Sequence, residues 1–236
     1  MELEKNFNRS YYFSTPIYSI EKPEWVSKID KACEKYIKSS KKHNEKALNL
    51  RNIKLKKDIG DLGFSYNSTS LINDPELKVL QDYVGTNSWL ILNEMGFDLS
   101  KYEMFWTEFW AQQFGKNGGG HHEGHIHHDN HISGFYFLRC SERTSYPVFH
   151  DPRYVKHMNN MPLNKQATVI SPAADKVLYT PKPGTLIFFP AYLEHQYTVD
   201  NGIDDFRFIH FNLQAVRKLV ANTIRAITIA NVDKSK

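Results

Sequence analysis

Short apolar and aromatic runs, separated by turn residues, fill most of the chain from residue 102 to residue 213. Runs of this kind are typical of β-strands, and six or more at this spacing favour a sandwich or barrel over alternating βαβ units. We predict strands over 102–114, 131–140, 146–151, 167–171, 184–190, 195–199 and 206–213.

The first hundred residues have a different pattern. Pro23 opens a segment in which Trp25, Ile29, Cys33 and Ile37 repeat at the spacing of one helix face. A second helix is expected after Asn73-Asp74-Pro75, and residues 42–72 are expected to be irregular. The residues from 214 onward predict a C-terminal helix.

These patterns predict one α+β domain, mainly β, in which a helical support region (1–100) and the C-terminal helix (214–236) pack on a β unit (101–213). Hydrophobic residues make up 41% of the chain and aromatic residues 14%, enough for a sizeable core. The loop from Arg153 to Gln166 is a candidate lid.

The net charge is +4, and eight lysines and arginines lie between residues 38 and 57. No aromatic side chains interleave with them, so we expect a solvated surface and no nucleic-acid partner. Two cysteines are too few for a disulfide framework or a zinc ribbon. The chain has no apolar run of membrane-spanning length and no visible signal peptide, so a cytoplasmic protein is expected.

Six of the 11 histidines lie between residues 121 and 131. His125 and His127 are two residues apart, and such residues project from the same face of an extended strand. His195, after the apolar run GTLIFFP, is the candidate third ligand. Two metal-ligand sets are open: His125, His127 and His195, or His127, Asp129 and His195. The second is the two-His-one-carboxylate triad of non-heme iron oxygenases.

Arg207, in DDFRFIHFN, is the candidate carboxylate-binding residue. A buried guanidinium binds a carboxylate through two parallel hydrogen bonds. The competing interpretation is a surface ion pair with Asp204 or Asp205. Spacing alone does not separate the two.

The ordered motifs HIHHDNHISGFYFL, VFHDPR, PKPGTLIFFPAYLEHQYTVDN and RFIHFNL resemble a family of 2-oxoglutarate- and Fe(II)-dependent oxygenases. That family's pattern has H-x-H, then F-x-D-P-R, then P-x-x-G-x-L-x-x-F-P-S-W-L-x-H, then an arginine-bearing strand that ends in F-N. The resemblance spans about residues 106–213. Trp110 matches a family tryptophan, and FSTPIYS (13–19) matches the family's N-terminal F-x-T-P motif.

The resemblance implies a double-stranded β-helix, or jelly roll, with a metal site at its mouth. It implies Fe(II), 2-oxoglutarate and O2 as cofactor and cosubstrates, and hydroxylation of an unidentified substrate with release of succinate and CO2. Its register favours His125, His127 and His195 as ligands, with Asp129 as the alternative to one of them. It assigns Arg207 to the distal carboxylate of 2-oxoglutarate. His121, His122, His128 and His131 are then loop or surrounding groups.

One departure concerns that arginine. The family has R-x-S-x-x-F-N, and the interval from Arg207 to Asn212 is one residue shorter. A shift of one residue turns a strand side chain to the opposite face, unless a β-bulge restores it. Lys182 and Arg139 are the possible substitutes.

Two rival functions remain: a cupin-like metal-binding jelly roll with other chemistry, and a non-catalytic binding module. Candidate pocket aromatics are Trp106, Trp110, Tyr136 and Tyr197. The sequence leaves the substrate and the oligomeric state undetermined. We expect substrate choice to depend on residues 42–72 and 153–166.

Overall fold

Two antiparallel sheets and two long helices make up the computed structural model, which describes residues 10–153, 161–162 and 171–223. The helices are α1 (Val26–Leu55) and α2 (Lys78–Glu94). The strands are β1 (Tyr18–Glu21), β2 (Ser65–Asn67), β3 (Tyr102–Phe114), β4 (His122–His125), β5 (Ile132–Arg139), β6 (Pro147–His150), β7 (Lys176–Leu178), β8 (Thr185–Pro190), β9 (His195–Tyr197) and β10 (Arg207–Arg217).

The larger sheet has the strand order β1-β8-β5-β10-β3-β2, and the smaller sheet has the order β4-β9-β6-β7. The strands pair antiparallel throughout the described residues. The α+β part of the prediction is therefore confirmed, since helices and antiparallel sheets occur together in the described residues.

Side chains of the large sheet alternate between two cores, because successive residues of a strand point to opposite faces. One core lies against the helices and contains Ile29, Leu80, Phe109, Ile209 and Phe211. The other lies between the sheets. This inter-sheet cluster consists of Phe114, Phe135, Phe137, Phe149, Ile187, Phe189, Leu193, Tyr197, Phe206 and Phe208.

Helix α1 follows a 3-10 turn at Pro23–Trp25 and buries Ile29, Ala32, Cys33 and Ile37 on one face. It continues to Leu55, so the expectation that residues 42–72 are irregular is wrong for residues 42–55, nearly half of that stretch. Long lysine and glutamate side chains lose little freedom in a helix, which allows this polar segment to stay helical. The second helix is confirmed, and the Asp74 side chain accepts a hydrogen bond from the Glu76 N–H before it.

The N-terminal region is not purely helical. Strands β1 and β2 form the two edges of the large sheet, which the sequence patterns did not predict. Both strands are short, at four and three residues, and therefore give little periodic signal.

At the other end, β10 continues to Arg217, and residues 218–223 are helical. The predicted C-terminal helix therefore begins four residues later than expected. Its remainder lies outside the described residues, as do most of the predicted 167–171 strand and most of the 153–166 lid. None of the described helices is long and apolar enough to cross a membrane.

Gly134 is required where β5 lies between β8 and β10. A Cβ atom there would lie 2.1 Å from Cζ of Phe211 and 2.2 Å from the carbonyl oxygen of Ile187. A backbone oxygen at that distance cannot move aside, so only glycine fits the Ser133-Gly134 motif.

Candidate metal centre

Three histidines meet at one end of the space between the sheets. His125 is the last residue of β4 and pairs with His195, the first residue of β9. His127 lies two residues beyond β4, where its backbone N–H bonds the carbonyl oxygen of Ala191. One ligand nitrogen from each ring lies within 4.8 Å of the other two. This histidine triad is the first of the two ligand sets that the sequence left open.

Backbone carbonyls orient two of the rings. Nδ1 of His125 lies 2.7 Å from the Glu123 oxygen, and Nδ1 of His195 lies 3.0 Å from the Leu193 oxygen. A carbonyl can only accept, so each Nδ1 carries the proton and each Nε2 keeps its lone pair. This is the usual arrangement of histidines that bind metal through Nε2.

Two of the three Nε2 atoms are buried and have no hydrogen-bond partner among the described residues: those of His127 and His195. Buried polar atoms are almost always paired, so two orphans facing one point require an explanation. A cation held between the rings would satisfy both. The triad therefore fits a metal ion.

Burial keeps these rings neutral. It lowers the pKa of His127 to about 3 and lowers the pKa of His195 well below its usual value. A neutral imidazole is the form that binds metal. The same two nitrogens are therefore available to a cation well below neutral pH.

A second cluster, which the sequence reasoning missed, adjoins the triad. Glu108 of β3 and His210 of β10 meet at 3.0 Å, between Glu108 Oε2 and His210 Nε2, and both lie beside His127. The Asn212 amide bridges the two groups, 2.7 Å from the Glu108 carboxylate and 2.9 Å from Nδ1 of His127. The sequence did contain a signal for this cluster. His210 and Asn212 are two residues apart in a predicted strand, so their side chains lie on the same face.

The hydrogen bond from His210 lowers the pKa of Glu108 to about 2, and burial lowers the pKa of His210. Glu108 is therefore an anion, held beside His127 by two neutral donors. The Asn212 amide contacts Nδ1 of His127, with the donor and acceptor set by the ring's tautomer, and it thereby orients the His127 ring.

Asp129, the carboxylate of the alternative set, is exposed on the turn after His127, with φ of 62°. It belongs to neither group of converging ligand atoms in the described chain. Of the remaining histidines, His121 and His128 are exposed. His122 faces the site, 2.7 Å from the Gln112 amide nitrogen, and Nδ1 of His131 accepts from the Ala215 N–H.

Arg207 is buried on the opposite face of the large sheet from the triad. Its guanidinium donates to Gln113 Oε1, Asp30 Oδ1 and Glu34 Oε2, each at 2.9 Å. The pairing of β10 with β5 is irregular between Arg207 and Phe208, yet the side chain still points to α1. The one-residue offset predicts this orientation of the Arg207 side chain when no β-bulge compensates for the offset.

The two proposed substitutes for Arg207 lie elsewhere. Arg139 pairs with Asp30, Glu34 and Asp205, and Lys182 is exposed.

The candidate aromatics divide between the two faces. Trp110 lies 4.8 Å from His210, ring centre to ring centre, and Tyr197 belongs to the inter-sheet cluster. Trp106 and Tyr136 pack in the helix-side core, so their assignment to the pocket is wrong.

A family of known proteins matches the segment of the chain that contains this site. Residues 108–212 match a family model described as "Putative 2OG-Fe(II) oxygenase", and this segment contains the whole triad. No curated protein matches the chain in sequence. The resemblance to the 2-oxoglutarate- and Fe(II)-dependent oxygenases is therefore confirmed over residues 108–212.

Solved structures of similar fold include the non-heme alpha-ketoglutarate-dependent epimerase SnoN from nogalamycin biosynthesis. It is 8% identical, with a TM-score of 0.51 over 85% of this chain and 76% of that one. A Pseudomonas putida prolyl-4-hydroxylase is 10% identical, with a TM-score of 0.44 over 84% and 93% of the two chains. A Trichoplax adhaerens prolyl hydroxylase is 11% identical, with a TM-score of 0.43 over 83% and 82%. At these identities the likeness concerns the fold alone.

Proposed function

We propose that the protein is an Fe(II)-dependent dioxygenase that consumes a 2-oxo acid, 2-oxoglutarate by the family pattern, and hydroxylates a second substrate. The observation that carries the proposal is the pair of buried, unpartnered Nε2 atoms, of His127 and His195, in a triad inside the family-matched segment. We assign His125, His127 and His195 as the iron ligands and leave Asp129 outside the coordination sphere.

Three imidazoles would hold the metal and leave positions on it open to small ligands. A structural zinc site would need a closed set of four ligands. In the described chain, the converging group at the triad contains only the three histidines. Bound Fe(II) would supply the chemistry by which O2 oxidises a 2-oxo acid to a carboxylic acid and CO2 and an O atom is inserted into a C–H bond.

The protein's own residues would orient and protect that site. The Glu123 and Leu193 carbonyls orient the His125 and His195 rings, and the Asn212 amide orients the His127 ring. On one side, the buried rings of Phe135 and Phe189 lie 5.6 and 4.9 Å from His195 and exclude water. On the other side, the Glu108 carboxylate adds a negative charge. This charge would partly balance the two positive charges of Fe(II), because the three histidine ligands are neutral.

For the fold, we propose that the two sheets are the halves of a double-stranded β-helix in a single domain. The triad would then lie at its mouth, as the family pattern implies. The supporting feature is the inter-sheet cluster, which closes the space between the sheets from both sides.

The test is anaerobic titration of the metal-free protein with Fe(II), followed by O2-dependent release of CO2 from a 2-oxo acid labelled at carbon 1. Wild-type protein should bind one Fe(II) per chain, and His195→Ala should lose both binding and CO2 release. His128→Ala, an exposed histidine beside the triad, is the matched control and should retain both. If His195→Ala retains CO2 release, the assignment is refuted.

A further inference from the structure

Strand β3 contains a β-bulge beside the triad. Trp106 and Phe109 both pack in the helix-side core, although they are three residues apart and strict alternation would place them on opposite faces. In the pairing with β10, consecutive residues of β10 lie opposite Trp106 and Glu108, so Thr107 has no partner on that strand. The extra residue turns Glu108 toward the triad. Bulges often re-aim a side chain in this way next to an active site.

The Glu108 carboxylate is held at one oxygen and open at the other. Oε2 accepts a hydrogen bond from His210 Nε2 at 3.0 Å and one from the Asn212 amide at 2.7 Å. Oε1 has no hydrogen-bond partner among the described residues, and the Glu108 side chain is 45% exposed. Because two donors already fix the carboxylate, it loses little freedom when a ligand binds to Oε1. The group is therefore preorganised to accept from a ligand that arrives from solvent.

Trp110 is the next residue of β3 on the triad side, since it is two residues beyond Glu108. Its indole ring is partly exposed, and its centre lies 4.8 Å from the centre of the His210 ring. The face of an indole attracts cations more strongly than that of any other side chain. A carboxylate and an indole on one face of a strand are together suited to binding a cationic nitrogen.

Gln112 continues this row on the triad side of β3. Its side chain is 1% exposed, and its Nε2 atom lies 2.7 Å from Nε2 of His122. Its Oε1 atom is buried and has no hydrogen-bond partner among the described residues. Buried polar atoms are almost always paired, so this oxygen also calls for a donor. The row from Glu108 to Gln112 therefore fits a ligand that donates hydrogen bonds.

The row adjoins the metal centre. One carboxylate oxygen of Glu108 and one ring nitrogen each of His127 and His210 lie within 4.8 Å of one another, and His127 belongs to the triad. A ligand held at Glu108 is thus next to a triad residue, and a short aliphatic spacer would bring one of its C–H bonds to the metal site.

The open oxygen favours an ammonium over a guanidinium. A guanidinium pairs best with both oxygens of a carboxylate at once, and Oε2 of Glu108 already accepts two hydrogen bonds. An ammonium is a compact charge that a single oxygen can bind.

Resting on the proposed function, we propose that the substrate hydroxylated by this protein carries a protonated amine. The ammonium would bind Glu108 Oε1 and the face of the Trp110 ring, and a neighbouring C–H bond would lie at the metal site. A free amine and the lysine side chain of a peptide share this chemistry.

The test is calorimetry on the wild-type protein loaded anaerobically with Fe(II) and 2-oxoglutarate, with two pairs of probes. In each pair one member carries an ammonium and the other is neutral: pentylammonium against pentanol, and Nα-acetyl-lysine amide against Nα-acetyl-norleucine amide. We expect the charged member to bind at least about tenfold more tightly in at least one pair. A preference in the first pair identifies a free amine, and a preference in the second pair alone identifies a lysine side chain. If neither pair shows a preference, or no probe binds, the proposal is overturned.

Two variants test the residues that bind the ammonium. In Glu108→Gln the amide oxygen can replace Oε2 and keep both hydrogen bonds, and the NH2 group then occupies the position of Oε1. This variant should lose most of the preference for the charged probe, and Trp110→Leu should reduce it by about threefold or more. Asp129→Asn, which removes an exposed carboxylate close to the triad, is the matched control and should keep the preference.

A carboxylate that only balances the charge of the metal gives a different result. Glu108→Gln would then bind Fe(II) more weakly and keep the full preference for the charged probe, which would overturn the proposal. An unchanged preference in Trp110→Leu would overturn it as well. Circular dichroism shows whether each variant is folded, and the wild-type comparison stands alone if one is not.

Failure of the proposed function is distinguishable from failure of this proposal. If Fe(II) does not bind to the wild type, the proposed function fails. The same probe pairs on the metal-free protein then still decide the ammonium site, because Glu108 and Trp110 need no metal to bind a cation.

Discussion

Arg207 provides the sharpest test of how β10 is oriented, because the two possible roles of this residue predict opposite phenotypes. In the structure it is 1% exposed and joins the large sheet to α1 through Asp30 and Glu34. Replacement by alanine leaves both carboxylates short of a partner and leaves the buried Gln113 oxygen unpaired.

Removing one partner of a buried ion pair costs roughly 3–5 kcal/mol. The Asp30 and Glu34 side chains are 20% and 36% exposed, and Arg139 still pairs with both, so the lower end applies. We predict that Arg207→Ala lowers the free energy of unfolding by about 3 kcal/mol, equivalent to a melting temperature lower by roughly 6–12 °C for a chain of this size.

Urea unfolding followed by circular dichroism measures this loss, and the slope with denaturant should stay unchanged. Arg139→Ala is the matched control, because it shares two partners but is 33% exposed, and it should cost about 1 kcal/mol or less. Fe(II) affinity of folded Arg207→Ala should stay within about twofold, since the triad is on the other face. Wild-type stability combined with lost 2-oxo-acid binding would refute the reasoning and return Arg207 to the cosubstrate.

Further predictions concern the triad and the sheet around it. Asn212→Ala should weaken Co(II) affinity, measured by absorption titration, about 10- to 100-fold, because a ligand ring loses the partner that orients it. Gly134→Ala should lower the free energy of unfolding by about 3 kcal/mol or more, because its Cβ would collide with the Ile187 carbonyl. The metal-free protein should lose stability as the pH falls below 6.5, the ordinary histidine pKa, because the unfolded chain then binds protons that buried His195 and His210 do not. Chemical denaturation should show this loss between pH 7 and pH 5, and a flat profile over that range would contradict their neutral burial.

The β unit was predictable because its strands are long enough to show their period. The 102–114 run and strand β3 coincide, and the runs around β5, β8 and β10 differ from the strands by only a few residues. The edge strands β1 and β2 were not predictable, since their pairing depends on β8 and β3, which are distant in sequence.

The site was predictable only in part. The H-x-H spacing and the histidine after an apolar strand indicated which imidazoles converge. Glu108 was missed because its proximity to His210 arises from the register between β3 and β10, which sequence spacing does not encode. Arg207 shows the limit of motif matching. One missing residue turns its side chain to the opposite face of the strand, where the guanidinium pairs with other groups.

Anaerobic Fe(II) calorimetry on the wild type, His125→Ala and Asp129→Ala decides between the two ligand sets. We expect one site per chain in the wild type, the same affinity in Asp129→Ala, and loss of binding by at least about 100-fold in His125→Ala. Loss of the site in Asp129→Ala, with binding retained in His125→Ala, would refute the histidine triad and favour the carboxylate-containing set.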